Sequence, residues 1–259
     1  MKSIRITRLP GARRPALLGA ALVLMAVTSS SVAAADDGPG PFGVTVRAAE
    51  NGRSVRVGAL FHGGAASAGA GGHFCTASVV HSRGRDLVLT AAHCLEGQTQ
   101  LSFAPGYRDG RAPYGFWDVR GVFLPEGWKR DQDEDSDVAF AVLATRDGEE
   151  VEDAVGGGNA FAAHRATGAT AVTVTGYPGS VDSPVTCTDK PTAYSRTQQR
   201  VACPAFAGGT SGSPWVNGDG AVVGVIGGHE QGGDTDDISY SAVFGTEAEE
   251  LYHVAALAG

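Results

Sequence analysis

The 259-residue chain has no apolar run long enough to span a bilayer. Its longest candidate, Ala16–Val27, has 12 residues, whereas a spanning helix needs about 20. The sequence also contains no C-x-x-C pair and no H-E-x-x-H motif, which are the commonest zinc-binding patterns. We therefore expect neither a membrane anchor nor a metal site of these kinds.

Positive charge is scarce in this chain. Lys and Arg total 20 against 28 Asp and Glu, and five of the basic residues precede residue 16. Without residues 1–35 the balance is 15 basic against 28 acidic residues, a net charge of −13. Because nucleic acids and anionic membranes bind basic surfaces, neither is expected as a partner.

The amino terminus has the three parts of a secretory signal peptide. Residues 1–15 carry the basic residues, Ala16–Val27 is apolar, and the small residues Ala33-Ala34-Ala35 form a cleavage site. We assign residues 1–35 to this signal and expect a secreted mature domain over residues 36–259. Four cysteines in an exported chain indicate two disulfides, and the count alone leaves three pairings open.

The mature chain consists of short β-rich runs separated by Gly, Pro, Asn and Asp, a pattern typical of an all-β sandwich or barrel. At the carboxyl end, Thr246-Glu247-Ala248-Glu249 has the form of a capping box, and apolar residues at helical spacing predict a helix over residues 246–257. The predicted strands are Arg56–Phe61, Phe74–Val80, Leu87–Thr90, Leu101–Ala104, Val119–Leu124, Val138–Leu143, Ala171–Gly176, Val185–Thr188, Trp215–Val216, Ala221–Ile226 and Ser239–Phe244.

In the stretch Phe206–Trp215 the hydroxyl of Ser211 stands among three glycines. A serine hydroxyl needs a neighbouring base to act as a nucleophile. Glycines let a substrate carbonyl approach bare backbone N–H groups, and those of Gly209 and Ser211 could form an oxyanion hole. Taken alone, the same stretch is equally consistent with a Gly- and Ser-rich surface turn.

Two upstream segments supply the partners that such a serine requires. An apolar run ends at His93, and Asp137 begins another apolar run. His, Asp and Ser in this chain order form one known arrangement of a catalytic triad. Together the segments Thr90-Ala91-Ala92-His93-Cys94, Asp137-Val138-Ala139-Phe140 and Gly209-Thr210-Ser211-Gly212-Ser213-Pro214 resemble the chymotrypsin/trypsin superfamily of serine peptidases, and within it the secreted bacterial V8-like branch.

The resemblance covers about Val57 to Phe244 and implies a fold. That fold has two six-stranded antiparallel β-barrels with the active site between them, followed by the C-terminal helix. The first barrel would span about residues 43–150 and the second about residues 160–245, joined by the Gly- and Ala-rich region from Gly148 to Thr170. The resemblance also implies the bridge Cys75–Cys94, and we expect Cys187–Cys203 as the second.

In this family the three residues have distinct roles. By resemblance, Ser211 is the nucleophile, His93 exchanges its proton, and Asp137 orients the imidazole. Asp135 is the rival carboxylate, but the orienting group must be buried, which favours the residue that opens the apolar run. The acidic residues Asp131–Asp135 fail the EF-hand pattern, because Ser136 and Val142 stand where Gly and Glu are required; a calcium site of another kind stays open there.

A different hydrolase fold would use another set of partners for Ser211. Asp237 and His253 follow it in the order of an α/β-hydrolase, but Ser213 stands where that motif requires glycine. Only 48 residues follow Ser211, too few for the remaining elements of that fold.

Several positions depart from well-known members of the family. Thr210 replaces the aspartate that pairs with a new N-terminal ammonium on activation. At the expected specificity pocket, Ala205 and Phe206 supply no acid, and Ile226 replaces the histidine of Glu-specific members, with His229 three residues beyond it. Neither a basic nor an acidic substrate residue is therefore favoured.

The sequence thus predicts a secreted, monomeric serine endopeptidase acting on proteins or peptides with His93, Asp137 and Ser211 and without a cofactor. The alternatives are a triad-bearing but inactive binding or scaffold protein, and a secreted esterase.

Overall fold

The computed structural model describes residues 42–65 and 72–259. The predicted signal peptide, residues 1–35, and most of the Gly/Ala-rich stretch between Gly63 and Gly72 lie outside the described residues.

The first half of the described chain forms a closed six-stranded antiparallel barrel. A short strand, β1 (Val46–Arg47), precedes it and pairs with the second half. The barrel order is β2-β3-β4-β7-β6-β5, so each strand has two neighbours and no edge is left open. Its strands are β2 (Val57–His62), β3 (His73–Val79), β4 (Leu87–Thr90), β5 (Leu101–Pro105), β6 (Trp117–Phe123) and β7 (Ala139–Leu143).

The barrel is filled by apolar side chains from alternating positions of its strands. All six strands predicted for this half are present, each within one residue at its ends, except that β6 begins two residues earlier than predicted. The connections contain short helices, and the 3-10 turn Glu134–Ser136 directly precedes Asp137. These helices are α1 (Ala92–Leu95), α2 (Glu126–Asp131) and α3 (Val151–Ala154).

The second half contains two sheets. A six-stranded sheet has the order β1-β10-β9-β13-β14-β8, and a three-stranded sheet has the order β11-β12-β15. The strands are β8 (Ala160–Phe161), β9 (Val172–Gly176), β10 (Val185–Asp189), β11 (Thr192–Ala193), β12 (Gln198–Val201), β13 (Pro214–Asn217), β14 (Ala221–Val225) and β15 (Ser239–Ala242).

The predicted second closed barrel is not confirmed. Side-chain hydrogen bonds occupy backbone groups where the two sheets meet. The N–H of Val225 donates to Ser241 Oγ, and Gln199 donates to the carbonyl of Val223. At the other junction the N–H of Ala202 donates to the carboxylate of Asp189. An N–H group that donates to a side chain does not also donate to a neighbouring strand, so the backbone ladder is interrupted at Val225 and Ala202.

Strand β12 was not predicted, because Gln198-Gln199-Arg200-Val201 has no apolar alternation. Both glutamines are nevertheless buried, and their amides bond to residues that are distant in sequence. The strand is therefore stabilised by satisfied buried amides rather than by an apolar face.

The predicted C-terminal helix is present as α4 (Thr246–Ala256), and it packs on the barrel wall. Ala248 and Ala255 are buried, and Leu251 and Tyr252 pack against the same cluster as Phe140. The predicted capping box is wrong, because Gly245 is the residue that precedes the helix.

Candidate active site

Asp137 is fully buried and accepts three N–H bonds. Its Oδ2 lies 2.8 Å from His93 Nδ1 and 2.9 Å from the N–H of Gly228, and its Oδ1 lies 3.1 Å from the N–H of His93. Because an ionised carboxylate only accepts, this geometry places a proton on Nδ1 and leaves Nε2 free to act as the basic nitrogen. Gly227 is needed at this point, since a Cβ there would lie 2.9 Å from Asp137 Oδ2.

His93 reaches this carboxylate because strand β4 ends at Thr90 and the chain turns into α1. Its side chain is 13% exposed, so the ring meets both the buried carboxylate and the surface. Cys94, the next residue, is joined to Cys75 of β3. The ring also lies beside Trp128, with centroids 6.4 Å apart, and this tryptophan had no signal in the sequence.

The structure separates the two candidate carboxylates. Asp135 is exposed, and its Oδ1 accepts a bond of 2.7 Å from Gln198 Nε2. Asp137, two residues later, is the one beside His93. The other acidic residues of this turn also bind protein groups, since Asp131 pairs with Arg130 and Asp133 accepts from the N–H of Asp135.

The loop that carries Ser211 lies against the strand end that leads to His93. Gly212 has φ +83°, and a Cβ there would lie 2.1 Å from both Thr76 O and Thr90 Oγ1 and 3.1 Å from Ala91 N. Only glycine permits so close an approach. Ser211 itself is half-buried. Gly212, which follows Ser211, therefore lies against Ala91, two positions before His93 in the sequence.

The N–H groups predicted for the oxyanion hole lie in a tightly held turn. Gly209 has φ +100°, and a Cβ there would lie 2.6 Å from Gly179 N and 2.8 Å from Tyr177 O. Thr210 is buried, and its hydroxyl donates to Ala207 O at 2.9 Å. The side chain of Thr210 therefore serves its own turn and offers no charge to a partner.

The four residues predicted for the specificity pocket have different surroundings. Phe206 and Ile226 are buried in one apolar cluster with Trp215, whereas Ala205 is exposed with φ +65°. His229 belongs to an aromatic group that the sequence did not reveal. Its ring stacks on Tyr194 with centroids 4.7 Å apart and meets Tyr240 edge-on.

Both disulfides have the expected pairing, Cys75–Cys94 and Cys187–Cys203, with Cα–Cα distances of 6.1 and 5.9 Å. Among the described residues, Cys75, His93 and Cys94 also lie close enough together to ligate a metal. Both sulfurs are committed to the disulfide, however, and a disulfide sulfur is not a thiolate ligand.

A second histidine, His73, is buried near the loop that carries Gly179. Its Nε2 lies 3.2 Å from Val181 O, and its ring meets Phe61, Tyr107 and Tyr177 edge-on. Burial lowers the pKa of His73 from 6.5, and the bond to Val181 and the charge of Asp182 oppose that shift. His73 is thus held neutral by its apolar surroundings.

Comparisons with known proteins place the chain among peptidases. The family model described as trypsin-like peptidase domain matches residues 75–225. The protease Anisep from Arthrobacter nicotinovorans is 28% identical, with a TM-score of 0.68, over 78% of this chain and 95% of that protein. The thermostable serine protease AL20 from an extremophilic microorganism is 27% identical, with a TM-score of 0.69, over 81% of this chain and all of that one.

A Glu endopeptidase shares the fold at 19% identity, with a TM-score of 0.66, over 85% of this chain and 99% of the other. A search of curated proteins gives no significant match.

Proposed function

The chain belongs to the trypsin-like peptidase family, and from this membership we propose that it is a secreted endopeptidase in which Ser211, His93 and Asp137 form the catalytic triad. Proteins and peptides are its substrates, and the mature enzyme is a monomer. Residues 1–35 are the signal peptide and residues 36–259 the peptidase domain, with halves at about residues 43–150 and 160–245.

The reaction follows from the role of each group. Ser211 Oγ attacks the scissile carbonyl, and His93 Nε2 takes its proton and passes it to the leaving amine. Asp137 keeps the proton on Nδ1 and stabilises the imidazolium. The N–H groups of Gly209 and Ser211 bind the oxyanion. Water then attacks the acyl-enzyme by the same proton transfers, and no cofactor takes part.

The observation that carries this proposal is the environment of Asp137. A fully buried carboxylate is costly unless donors surround it, and here three N–H groups, two of them from His93, surround it. These bonds fix the tautomer of His93 and leave its Nε2 available to take the proton of the Ser211 hydroxyl, as the proposed mechanism requires.

Export is supported by the two disulfides, which persist in oxidising compartments. In the described part of the chain, each helix is too short or too polar to cross a membrane.

The test is labelling with a fluorophosphonate followed by casein digestion, using the chain from Asp36 onward. We expect Ser211 to be labelled and casein to be cleaved, with both lost in S211A and H93A. Because triad members act as a unit, the double variant should be little worse than either single one. Labelling with cleavage of esters but not casein would indicate an esterase. A folded protein that is neither labelled nor active would indicate a binding protein.

A further inference from the structure

Thr76 makes four hydrogen bonds, and two of them connect the first barrel to the loop of Ser211. This residue of β3 is fully buried. Its N–H donates to Ser211 O at 2.8 Å, and its carbonyl accepts from Thr90 Oγ1 at 2.7 Å. Its hydroxyl donates to Gly209 O at 3.0 Å and accepts from the N–H of Tyr177 at 2.9 Å. Neither the charge pattern nor the family motifs pointed to this side chain.

The hydroxyl completes a set of anchors on three consecutive carbonyls. Gly208 O accepts from the N–H of Gly179 at 2.7 Å. Gly209 O accepts from Thr76, and Thr210 O accepts from both the N–H and the hydroxyl of Ser213. In a planar trans peptide the N–H points opposite to the carbonyl. Holding these carbonyls therefore also fixes the directions of the N–H groups of Gly209 and Ser211.

Of these bonds, the one from the Thr76 hydroxyl matters most, because the Gly209–Thr210 peptide that it holds follows a glycine and has the greatest conformational freedom. The Gly209–Thr210 peptide lies between the two peptides that carry the proposed oxyanion donors. Gly209, with φ +100°, has access to backbone conformations that other residues avoid. The orientation of this one peptide sets the angle between its two neighbours, and therefore whether the N–H groups of Gly209 and Ser211 converge on a common point. In the described residues its carbonyl is held by the Thr76 hydroxyl.

We propose that Thr76 is a positioning residue for the oxyanion hole. Its hydroxyl fixes the Gly209 carbonyl to the first barrel, so that the N–H groups of Gly209 and Ser211 converge before substrate binds. Thr210 carries no charge with which an ion pair could do this work, and the neutral bond from Thr76 does it instead. This inference rests on the function proposed above.

The geometry also shows why a hydroxyl is required at this position. Thr76 Oγ1 donates to one buried backbone group and accepts from another, the N–H of Tyr177. Valine has the same shape and suits a strand equally well, but its side chain can neither donate nor accept a hydrogen bond. The Thr76→Val variant would leave the Gly209 carbonyl and the Tyr177 N–H without their partner while keeping the packing of the barrel.

The experiment compares T76V, T76S and S78A in the full mature chain. Ser78 is a matched control, because its fully buried hydroxyl lies on the same strand and makes no hydrogen bond to any residue that the structure describes. Melting temperature, kcat and KM for a peptide substrate are measured for each. Inhibition by a peptide trifluoromethyl ketone is measured as well, because its hemiketal oxyanion occupies the hole. A peptide product serves as the inhibitor that carries no oxyanion.

We expect kcat of T76V to fall about 10- to 100-fold, somewhat less than the loss for deleting an oxyanion donor itself. KM and product inhibition should stay close to the wild-type values, while affinity for the trifluoromethyl ketone falls in parallel with kcat. T76S restores the hydroxyl and should restore both quantities. S78A should behave as the wild type. If Thr76 contributed only to stability, T76V would lower the melting temperature but would not change the affinity for the ketone relative to that for the peptide product.

A folded T76V variant with wild-type kcat and wild-type affinity for the ketone would overturn the proposal. Equal losses for the ketone and the product inhibitor would also overturn it. If T76V does not fold, T76A is measured in its place. Equal kcat values for T76A and T76S would then contradict the positioning role of the Thr76 hydroxyl. A wild-type enzyme that is not labelled by a fluorophosphonate refutes the proposed function itself, whereas an active wild type with an unaffected T76V refutes only the role of Thr76.

Discussion

Asp137 and Asp135 show how far the position of a single carboxylate decides its chemistry. The two residues lie on the same turn, yet one is buried against His93 and the other is exposed and bonded to Gln198. Burial matters because a carboxylate in a low-dielectric site interacts more strongly with an imidazolium than one in water does.

We predict that D137N reduces kcat by roughly 10⁴-fold, because the amide stabilises the wrong tautomer of His93. The matched control is D135N, which removes the same charge two residues away and should leave kcat within the same order of magnitude. The measurement is kcat on a peptide substrate for both variants. A larger loss in D135N than in D137N would show that the orienting carboxylate is misassigned.

His73 makes the stability of the fold depend on pH. Burial lowers the pKa of His73 below 6.5 in the folded protein, so below that pH the unfolded chain binds more protons than the folded one. The free energy of unfolding therefore falls as pH drops from 6.5 towards the lowered pKa, and this histidine has no such effect above 6.5.

We predict that H73F, whose ring suits the aromatic surroundings, shows a shallower loss of stability between pH 7 and 5 than the wild type. Urea unfolding at a series of pH values measures the slope. H62Q, which changes an exposed histidine bonded to Gln98, should keep the wild-type slope. Identical slopes for H73F and the wild type would show that His73 is not held neutral by burial.

At the scale of elements, α4 is hydrogen-bonded to two segments that lie beside His93, one before Asp137 and one before Trp128. Glu247, in its first turn, accepts from Ser136 Oγ at 2.6 Å and from the N–H of Gly127 at 3.0 Å. Ser136 immediately precedes Asp137, and Gly127 immediately precedes Trp128. The helix therefore positions two segments that contact His93.

We predict that E247A lowers the free energy of unfolding by about 1.5–3 kcal/mol, the range for hydrogen bonds to a charged group, and lowers kcat more than it changes KM. E250A removes an exposed carboxylate from the same helix and is the control. Denaturant unfolding and steady-state kinetics provide the two readouts. If E247A and E250A cannot be distinguished, α4 has no part in positioning Asp137.

At the scale of the whole molecule, hydrogen bonds among the described residues stabilise the turn of Ser211, and none of these bonds involves an N-terminal ammonium. The buried Thr210 hydroxyl is bonded within its own turn, and a bare ammonium placed beside it would have no counter-charge. Burying such a charge costs several kcal/mol. The anchors of the turn come instead from Thr76, Gly179 and Ser213.

We predict that mature forms beginning at Asp36, and forms with a few extra residues before it, have the same kcat/KM. Parallel expression and assay of these forms measures this directly. Activity confined to one internally cleaved form, and abolished by a single added residue, would show that a defined N-terminus is required.

The sequence by itself predicted the peptidase chemistry because each of its motifs is local. A histidine at the end of an apolar run, and a serine among glycines, can be recognised over a few residues. Short β-rich runs between turn residues likewise predicted an all-β sandwich or barrel, and the family resemblance favoured the barrel.

Only the tertiary structure decided how those segments are held in place. The Thr76 hydroxyl lies 133 positions from Gly209, and Gln198 lies 63 positions from Asp135. Hydrogen bonds between such distant residues leave no periodicity in the sequence, so neither Thr76 nor the polar strand β12 could be foreseen. A contact of the same long range brings His229 against Tyr194. Local pattern determines which groups are present, and long-range polar contacts determine where those groups point.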